Sequence, residues 1–499
     1  MLGAAFLNAS WGLLACGAFV PLLGVLESAG EERRPVWNAF RTGYLFGFVF
    51  FLVGMHWIAR LSDVAITVPW LKYPAWVAAA SYLALYPALA CALATFLSRR
   101  SGFSLAATFP CAFLMVEELR ASGELGFPWF QPGYAVHAYP RLIQMASLGG
   151  VTLLTAWVLL LNVLLWRALT RRDVTGASRA LAAAGFLAAL LLPWAWGGQA
   201  LHAADAMAAQ SKAAHGAVAL VQANIPGEIK WSGKHEREIL DTFLELSSTA
   251  ARAHPKPQLI VWPETATGTY LRRQVDQAIA VARLAADTGV PIFTGFADYS
   301  WDSLGTPHYW NAAGIFPANG SLGLRYAKRH LVPFGERMPF QRWLPMLGKI
   351  ELGQAEWTPG EEPVLFSGPG GPFSCLVCFE AIFPDLARDD VRHGARMLVN
   401  ITNDEWFGKS VALSQHAGMA ALRAVENHVP LVRCANTGLT LLVDSSGRVR
   451  GSLPVFQAGV LAGDPGPPGL PTPFTRFGDW PGAVGAAAVV FFLARRWRA

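Results

Sequence analysis

The sequence predicts two parts with different folds, a polytopic α-helical membrane region and a water-soluble α/β domain. The chain has 499 residues, of which 53% are hydrophobic and 15% are charged, and its mean hydropathy is +0.33. This composition is too apolar for an ordinary soluble enzyme. The apolar residues are also unevenly distributed, because 1–197 is a series of long apolar stretches whereas 212–470 alternates short apolar runs, charged helices and Pro/Gly turns.

Seven apolar segments predict membrane helices. A spanning helix needs about 17 to 25 apolar residues, and five or more such segments in tandem argue against buried core helices. The six segments before the soluble domain and the one after it lie at 5–26, 42–61, 75–97, 103–118, 145–166, 180–197 and 481–494. The predicted domains are therefore N-terminal membrane helices at 1–197, a soluble domain at 212–470, and a C-terminal membrane helix with a basic tail at 480–499.

The basic residues between these segments predict the orientation of the chain in the membrane. Cytoplasmic loops carry an excess of Lys and Arg. Three alternate loops and the C-terminal tail are rich in arginine, with Arg33, Arg34, Arg41, Arg99, Arg100, Arg167, Arg171, Arg172, Arg179, Arg495, Arg496 and Arg498. The soluble domain then lies on the opposite side, outside the cell or in a periplasm. The net charge of +6 mostly reflects these arginines and gives no argument for a nucleic-acid partner.

Short runs of Val, Ile and Leu that end in polar or Gly residues predict the strands of the soluble domain. Helical patterns at 235–253 and 273–288 lie between several of these runs. The alternation indicates an α/β fold with a largely buried sheet, whose reactive residues gather at strand ends. The predicted strands lie in 215–226, 258–264, 290–297, 373–380, 395–404 and 429–438.

The run SCLVCFEAIFP contains two cysteines, Cys375 and Cys378, whose chemistry the spacing alone leaves open. A structural zinc site would need a second pair of ligands at short spacing, which the sequence lacks, so no metal or other cofactor is expected. A redox C-x-x-C pair belongs at a helix N-terminus after a strand, whereas this pair lies in an apolar run that reads as a buried strand. The third possibility is one nucleophile, Cys378 at the strand end, with Cys375 on the opposite face by strand alternation.

Glu264 in VWPETA and Lys328 in YAKRHLVPFGE supply the partners that a cysteine nucleophile needs. Cysteine attacks as a thiolate, so a base must take its proton or a cation must lower its pKa. Glu264 can be that base. Negative charge then grows on the carbonyl oxygen under attack, where the Lys328 ammonium and the backbone N–H of Phe379 can stabilise it. Taken singly, each charged residue would more often be a solvated surface group.

Four motifs, in this order along the chain, resemble those of the nitrilase or carbon–nitrogen hydrolase superfamily. They are VWPET, YAKRHLVPFGE, LVCFE and NITNDEWFG. The resemblance implies a nitrilase-like αββα sandwich domain with a Glu–Lys–Cys triad. VQANIPGEIKW, GFPWFQPGY and RCANTG also match. With membrane segments on both sides of the domain, the whole chain resembles the bacterial apolipoprotein N-acyltransferase family.

The resemblance implies roles for individual residues. Glu264 matches the family's general base, Lys328 its oxyanion-stabilising lysine and Cys378 its nucleophile. The residues expected to contact substrate or line the site are Glu336, Glu380, Trp231, Phe379 and Trp406.

Another stretch, Met338–Trp357, matches a mobile loop over the family's site. Its apolar side chains would suit contact with acyl chains or a membrane surface, and they include Phe340, Trp343, Leu344 and Met346. The chain departs from the family in two respects. Seven predicted membrane segments replace the usual eight, and Phe379 stands where many members have Tyr.

The implied reaction is a two-step acyl transfer. An acyl chain moves from a phospholipid to Cys378 as a thioester, and then to the α-amino group of the diacylglyceryl-cysteine at the N-terminus of an apolipoprotein. The expected partners are this phospholipid donor, the diacylated acceptor and the bacterial inner membrane. Two alternatives stay open. The first is a membrane-anchored nitrilase-type amidase, which would share the triad but hydrolyse its thioester. The second is a transporter, which would explain the membrane helices, although transporters usually carry charged residues in mid-membrane.

Overall fold

The chain divides into two compact units. The computed structural model describes residues 1–29, 33–63, 68–169, 175–210, 216–319, 323–341, 343, 344, 346 and 356–495. Met1–Arg60 and Val68–His202 belong to the first unit, together with the C-terminal segment from Arg476, and Ala203–Thr475 belongs to the second.

Helices account for the regular structure of the first unit and for the outer layers of the second. In chain order they are α1 (Leu2–Ala5), α2 (Val20–Ala29), α3 (Pro35–Gly54), α4 (Lys72–Ser101), α5 (Leu105–Ala121), α6 (Pro140–Ile143), α7 (Ala146–Leu169), α8 (Gly176–Gln210), α9 (Gly227–Lys230), α10 (Glu236–Ala250), α11 (Val275–Thr288), α12 (Pro384–Arg392), α13 (Ala412–Asn427), α14 (Pro473–Phe477) and α15 (Trp480–Ala494). Single-turn and longer 3₁₀ segments include Ala9–Gly17, His56–Arg60, Pro69–Leu71, Pro132–Val136, Cys378–Ile382 and Glu405–Phe407.

Long apolar helices confirm the predicted polytopic membrane region. Five helical segments among the described residues are long and apolar enough to cross a bilayer: Ala9–Ser28, Pro35–Arg60, Pro69–Ser101, Ala146–Leu169 and Gly176–Gln210. The last of these is only 11% buried within the protein over its most apolar window. An apolar helix with so little protein contact suits a lipid environment.

Two of the seven predicted spanning segments form shorter helices than the other five. The predicted segments at 103–118 and 481–494 do form helices, α5 and α15, but these contain 17 and 15 residues. In α5 the last turn is polar, and Arg120 pairs with Glu117 at 2.5 Å while donating to the carbonyl oxygens of Phe127 and Trp129. These buried polar contacts shorten the apolar part of α5. Of the arginines that predict orientation, Arg171, Arg172, Arg496 and Arg498 lie outside the described residues.

The second unit contains two six-stranded sheets. Their strands are β1 (Val218–Gln222), β2 (Leu259–Val261), β3 (Ile292–Trp301), β4 (Pro307–Phe316), β5 (Arg325–Ala327), β6 (Phe366–Gly368), β7 (Gly371–Val377), β8 (Met397–Thr402), β9 (Leu431–Ala435), β10 (Thr440–Val443), β11 (Val449–Leu453) and β12 (Gly459–Gly463). The strand orders are β12-β1-β2-β3-β4-β5 and β11-β10-β9-β8-β7-β6. All six strands predicted from the apolar runs are present.

Each sheet has three parallel strands at its centre and antiparallel strands outside them. The parallel strands are β1, β2 and β3 in the first sheet and β7, β8 and β9 in the second. Parallel pairing requires crossovers, which here are the helices α10, α11, α12 and α13. The carboxyl ends of parallel strands meet at one edge of a sheet, so residues that follow β2, β7 and β8 are brought together there.

Three buried clusters give the second unit its layers. The central cluster joins the inner faces of the two sheets through residues such as Val218, Val261, Phe293, Cys375 and Val399. Outside the first sheet, residues of α10 and α11 pack on its outer face. Residues of α12 and α13 do the same on the second sheet. The order helix, sheet, sheet, helix is the αββα sandwich that the sequence predicted.

Candidate active site

Cys378, Glu264 and Lys328 follow the ends of strands, as the sequence predicted. Cys378 is the first residue after β7, Lys328 the first after β5, and Glu264 the third after β2. Lys328 Nζ lies 3.8 Å from Glu264 Oε1. Cys378 lies near both residues, because the charges of Glu264 and Lys328 both act on its thiol.

Glu336 joins Lys328 and Glu264 in what we call the Lys328 cluster. Lys328 Nζ lies 2.8 Å from the Glu336 carboxylate, closer than it is to Glu264. The backbone N–H of Val332 donates to Glu336 Oε2 at 2.8 Å and fixes that carboxylate. Lys328 and Glu264 are buried, with 1% and 6% of their surface exposed. Burial lowers the pKa of Lys328, but the two carboxylates outweigh it and hold that pKa above its ordinary value.

The Glu264 carboxylate is held by neutral donors on both oxygens. Asn311 Nδ2 donates to Oε1 at 2.7 Å, and the backbone N–H of Asn403 donates to Oε2 at 3.0 Å. Lys230 Nζ donates to the backbone carbonyl oxygen of Glu264 at 3.2 Å. Burial lowers the pKa of Lys230 to about 8, against the charges of Glu264 and Glu405. Sequence reasoning did not single out Asn311 or Lys230, since each lies in a run with no distinctive polar pattern.

Cys378 adopts a backbone conformation that strand alternation does not predict. Its φ is +51°, in the left-handed region that costs a non-glycine residue roughly 1 kcal/mol. Because β7 ends at Val377, Cys378 is not part of the alternating pattern, and it contacts the same inter-sheet cluster that contains Cys375. The expectation that the two cysteines lie on opposite faces is therefore wrong. Cys375 is nonetheless fully buried, as expected, while Cys378 is half-buried.

The surroundings of Cys378 favour the protonated thiol. Burial raises its pKa, and the negative charge of Glu264 raises it further, whereas the Lys328 ammonium and a hydrogen bond with Thr402 lower it. Together these effects hold the pKa of the Cys378 thiol well above its ordinary value. A thiol in this state needs a base at the moment of attack, because very little thiolate exists beforehand.

Glu380 lies in the interior rather than on an open surface. Its carboxylate accepts hydrogen bonds from the Tyr326 hydroxyl and from the backbone N–H groups of Arg329, His330 and Val377, at 2.6 to 3.1 Å. These bonds tie the turn that follows Lys328 to the end of β7. Burial raises the pKa of Glu380. Substrate contact by Glu380 stays a prediction, and the observed contacts describe a positioning residue.

The aromatic residues expected at the site differ in exposure. Trp231 and Trp406 are 47% and 43% exposed, whereas Phe379 is 7% exposed and packs against the rings of His330 and Phe383. Part of the stretch 338–357 lies outside the described residues, namely 342, 345 and 347–355. Four of its described apolar side chains, Phe340, Trp343, Leu344 and Met346, are more than one-third exposed, whereas Met338 is buried.

Behind Cys378 lies a second group of charged side chains, Asp404, His416 and Arg433, which we call the Arg433 cluster. Arg433 Nη2 donates to Asp404 Oδ2 at 2.6 Å and lies 3.0 Å from His416 Nδ1. Asp404 Oδ1 lies 3.0 Å from the same nitrogen and accepts from the Thr402 hydroxyl at 2.8 Å. All of these side chains are at least 99% buried. Burial alone would raise the pKa of Asp404, but Arg433 and His416 hold it below its ordinary value.

The Arg433 cluster escaped the sequence analysis. Asp404 belongs to a recognised motif, but His416 lies within α13, in a helical pattern that gives no chemical signal. Arg433 did carry a signal that could have been used. It is a charged residue in the middle of the apolar run VPLVRCA, and a buried arginine requires an anionic or carbonyl partner.

Two family models match this chain. The carbon–nitrogen hydrolase model matches residues 217–464, which include the whole of the two-sheet sandwich. The model of the apolipoprotein N-acyltransferase N-terminal domain matches residues 1–164.

Two solved structures are similar to part of this chain at lower identity. The amidase from Nesterenkonia sp. AN1 is 20% identical with a TM-score of 0.38, over 54% of this chain and 94% of the amidase. Nit3 from Saccharomyces cerevisiae, a member of the nitrilase superfamily, is 20% identical with a TM-score of 0.39, over 50% of this chain and 90% of Nit3.

Curated relatives match over nearly the full length. The apolipoprotein N-acyltransferase of Geobacter metallireducens is 36% identical over 494 residues, which cover 97% of this chain and 91% of that protein. The corresponding enzyme of Brucella melitensis is 34% identical, over 87% of this chain and 80% of that protein. That of Ralstonia nicotianae is 33% identical, over 99% and 91%. The chain therefore belongs to the apolipoprotein N-acyltransferase family, with a carbon–nitrogen hydrolase domain of the nitrilase superfamily.

Proposed function

We propose that this protein transfers an acyl chain from a phospholipid to Cys378, and from there to the N-terminal amine of a diacylated apolipoprotein. The geometry of the Lys328 cluster carries the proposal. Its two carboxylates outnumber its one ammonium, and the ammonium lies closer to Glu336 than to Glu264. Glu264 is thus the carboxylate that can gain a proton while Lys328 keeps a counter-ion.

In the first step the Cys378 thiol gives its proton to Glu264 as its sulfur attacks the ester carbonyl of the phospholipid. The tetrahedral intermediate bears a negative oxygen, which Lys328 and the backbone N–H of Phe379 stabilise. The carbon–oxygen bond then breaks, and the departing alkoxide takes the proton from Glu264. The products are a Cys378 thioester and a lysophospholipid.

In the second step the neutral α-amine of the acceptor attacks the thioester carbonyl. Glu264 takes a proton from the attacking nitrogen, and the same two donors stabilise the oxyanion. The carbon–sulfur bond breaks, and the thiolate of Cys378 regains a proton from Glu264. The products are an amide and the resting thiol, so the cycle needs no metal or redox partner.

The membrane region explains why such an enzyme would be tethered. Both substrates are anchored in lipid, and the exposed side chains of Trp231, Phe340 and Trp343 offer apolar surface for acyl chains.

From the arginine distribution we also propose that the catalytic domain lies on the external or periplasmic face of a bacterial inner membrane. Labelling a cysteine introduced at Arg33 with an impermeant maleimide in intact cells tests this. Labelling from outside would contradict the orientation.

Intact mass spectrometry of the full chain in detergent tests the reaction. Incubation with a phospholipid should add one acyl chain to the enzyme, and digestion should place that chain on Cys378. Addition of a synthetic diacylated lipopeptide should remove the chain and lengthen the lipopeptide by the same mass.

Two substitutions make the assignment specific. Cys378→Ala should form no acyl-enzyme, since neither Glu264 nor Lys328 can form a thioester. Cys375→Ala should keep most activity and lower the free energy of unfolding by about 1 kcal/mol. An adduct on Cys375, or one that persists without Cys378, would contradict the assigned nucleophile. Loss of the acyl chain to water, without transfer to the lipopeptide, would favour the membrane-anchored amidase instead.

A further inference from the structure

His416 contacts the backbone of Cys378 in a way that bears on the oxyanion. Its Nε2 lies 3.1 Å from the Cys378 carbonyl oxygen. A carbonyl oxygen can only accept, so this contact is a hydrogen bond only if Nε2 carries a proton. The side chain is 1% exposed, and no solvent competes for the bond.

The rest of the Arg433 cluster keeps that proton on Nε2. Arg433 Nη2 lies 3.0 Å from Nδ1, and a guanidinium can only donate, so it favours an unprotonated Nδ1. Burial and the charge of Arg433 lower the pKa of His416, against the pull of Asp404. If His416 were instead doubly protonated, Nδ1–H would donate to Asp404 and Nε2 would still carry its proton. The bond to Cys378 therefore persists in both states.

The peptide bond between Cys378 and Phe379 transmits this contact. It is a trans bond, and in a planar trans peptide the C=O and N–H groups point in opposite directions. A carbonyl held by His416 on the interior side therefore turns the Phe379 N–H toward the opposite side. That N–H is one of the two donors that the proposed mechanism assigns to the oxyanion.

The left-handed conformation of Cys378 makes such an anchor necessary. A non-glycine residue at φ +51° persists only when its surroundings hold it there. One side of the turn is held by Glu380, which accepts from the Val377 N–H at 2.7 Å. His416 holds the other side, and α13 fixes His416 because Ala417 and Ala420 pack into the cluster beneath the second sheet.

We propose that His416 is a positioning residue that orients the Cys378–Phe379 peptide, so that the Phe379 N–H faces the oxyanion of each tetrahedral intermediate. The proposal rests on the proposed function in taking Cys378 as the nucleophile. It differs from a role in thiol activation, because His416 contacts the carbonyl of Cys378 and leaves proton removal to Glu264.

Two reactions of Cys378 separate orientation of the peptide from general damage. Acylation by p-nitrophenyl butyrate passes through an oxyanion, whereas alkylation by iodoacetamide displaces iodide and forms none. In His416→Leu the acylation rate should fall about 100-fold or more, and the alkylation rate should stay within a factor of about three. His416→Gln restores a side-chain N–H donor, so its acylation rate should be about tenfold higher than that of His416→Leu.

Asn427→Leu is the matched control. Asn427 is 2% exposed and lies on the same helix, where it bonds to Arg423 O and Thr475 but not to Cys378. This variant should lose thermal stability while keeping the wild-type ratio of acylation to alkylation. Melting temperatures in the same detergent show whether each variant is folded. If His416→Leu does not fold, the ratio of acylation to alkylation in His416→Gln decides. If His416 only fills space, that ratio should equal the wild-type ratio; if His416 positions the peptide, it should be lower.

Each outcome bears on one claim. A wild-type ratio of acylation rate to alkylation rate in the His416 variants would overturn the positioning role, because both reactions would then be affected equally. Wild-type enzyme that is acylated by the p-nitrophenyl ester but not by phospholipid would reject the proposed donor and leave the His416 test intact. Wild-type enzyme acylated by neither donor would overturn both proposals, since no oxyanion would then form at Cys378.

Discussion

Two buried clusters of charged side chains flank Cys378, and they differ in charge balance. The Lys328 cluster contains two carboxylates and one ammonium, whereas the Arg433 cluster contains one carboxylate, one guanidinium and an imidazole. The first can gain a proton and still keep an ion pair. The second is already balanced, so a change of protonation would leave an uncompensated buried charge. Under the proposed mechanism, similar residue types thus serve proton transfer in one cluster and rigidity in the other.

The carboxylates of the Lys328 cluster are also more exposed to solvent than the side chains of the Arg433 cluster. Glu264 keeps 6% of its surface exposed and Glu336 is half-buried, whereas Asp404, His416 and Arg433 are at least 99% buried. A group that exchanges protons with a substrate must be reachable, while a group that fixes a backbone is best kept dry. Three experiments test this difference.

The largest expected difference comes from removing the cation of each cluster. Lys328→Met leaves Glu264 and Glu336 without a counter-ion, and Arg433→Met does the same to Asp404. Each should lower the free energy of unfolding by roughly 3 to 5 kcal/mol. Acylation of Cys378 should fall about 10²- to 10³-fold in Lys328→Met.

In Arg433→Met the acylation rate should fall less than about tenfold, because Asp404, no longer opposed by Arg433, favours the doubly protonated His416. Nε2–H of that ring still bonds to Cys378, and both oxyanion donors of the proposal remain. Melting curves and acyl-enzyme mass spectra of the two variants check this. Equal loss of acylation in both methionine variants would mean that the two clusters do not have the different roles proposed for them. Lys328→Arg and Arg433→Lys retain the charges and serve where the methionine variants do not fold.

The pH dependence of Cys378 alkylation should be intermediate in size. An ordinary cysteine has a pKa of about 8.5, so its alkylation rate is close to its plateau by about pH 9.5. Burial and the charge of Glu264 raise the pKa of Cys378, so its rate should still be rising steeply at about pH 10. Removing the negative charge in Glu264→Gln should lower that pKa and bring the plateau to lower pH. Rates with iodoacetamide from about pH 6 to about pH 10 measure both.

A plateau for the wild-type enzyme near pH 7 would contradict this reading, since it would mean that a thiolate already exists at rest. A plateau that Glu264→Gln leaves unchanged would show that the Lys328 cluster does not act on the thiol. The unfolded chain, alkylated in denaturant, provides the ordinary cysteine for comparison.

The smallest effect is expected at the exposed edge of the site. Trp231→Ala removes a half-exposed ring that lies 5.3 Å from Lys230 Nζ, and we expect KM for the phospholipid to rise by up to about tenfold with kcat nearly unchanged. Trp301→Ala is the control, because Trp301 is 62% exposed at the end of β3 and has no proposed role. Steady-state kinetics in mixed micelles compare the two. Equal effects would reject substrate contact by Trp231.

Local pattern was sufficient for much of the fold. Short apolar runs bounded by polar or Gly residues predicted β1, β2, β3, β7, β8 and β9, because a strand buried between layers must be apolar along its length. Long apolar stretches likewise predicted the membrane helices. The strand ends at Glu264 and Cys378 followed from the same runs, whereas Lys328 follows β5, which no apolar run predicted; Lys328 was found from the requirements of a cysteine nucleophile. These are properties that a few neighbouring residues determine.

Other features depended on residues far apart in the chain. The sequence could not predict that β7 ends at Val377 and that Cys378 turns to φ +51°, because distant donors and acceptors stabilise that turn. His416 lies 38 residues from Cys378 and Arg433 lies 29 residues from Asp404. Neither pairing has a local pattern. The packing of α13 against the second sheet brings His416 to Cys378, and the pairing of β8 with β9 brings Arg433 to Asp404. A buried polar group takes whichever partner the fold places within hydrogen-bonding distance.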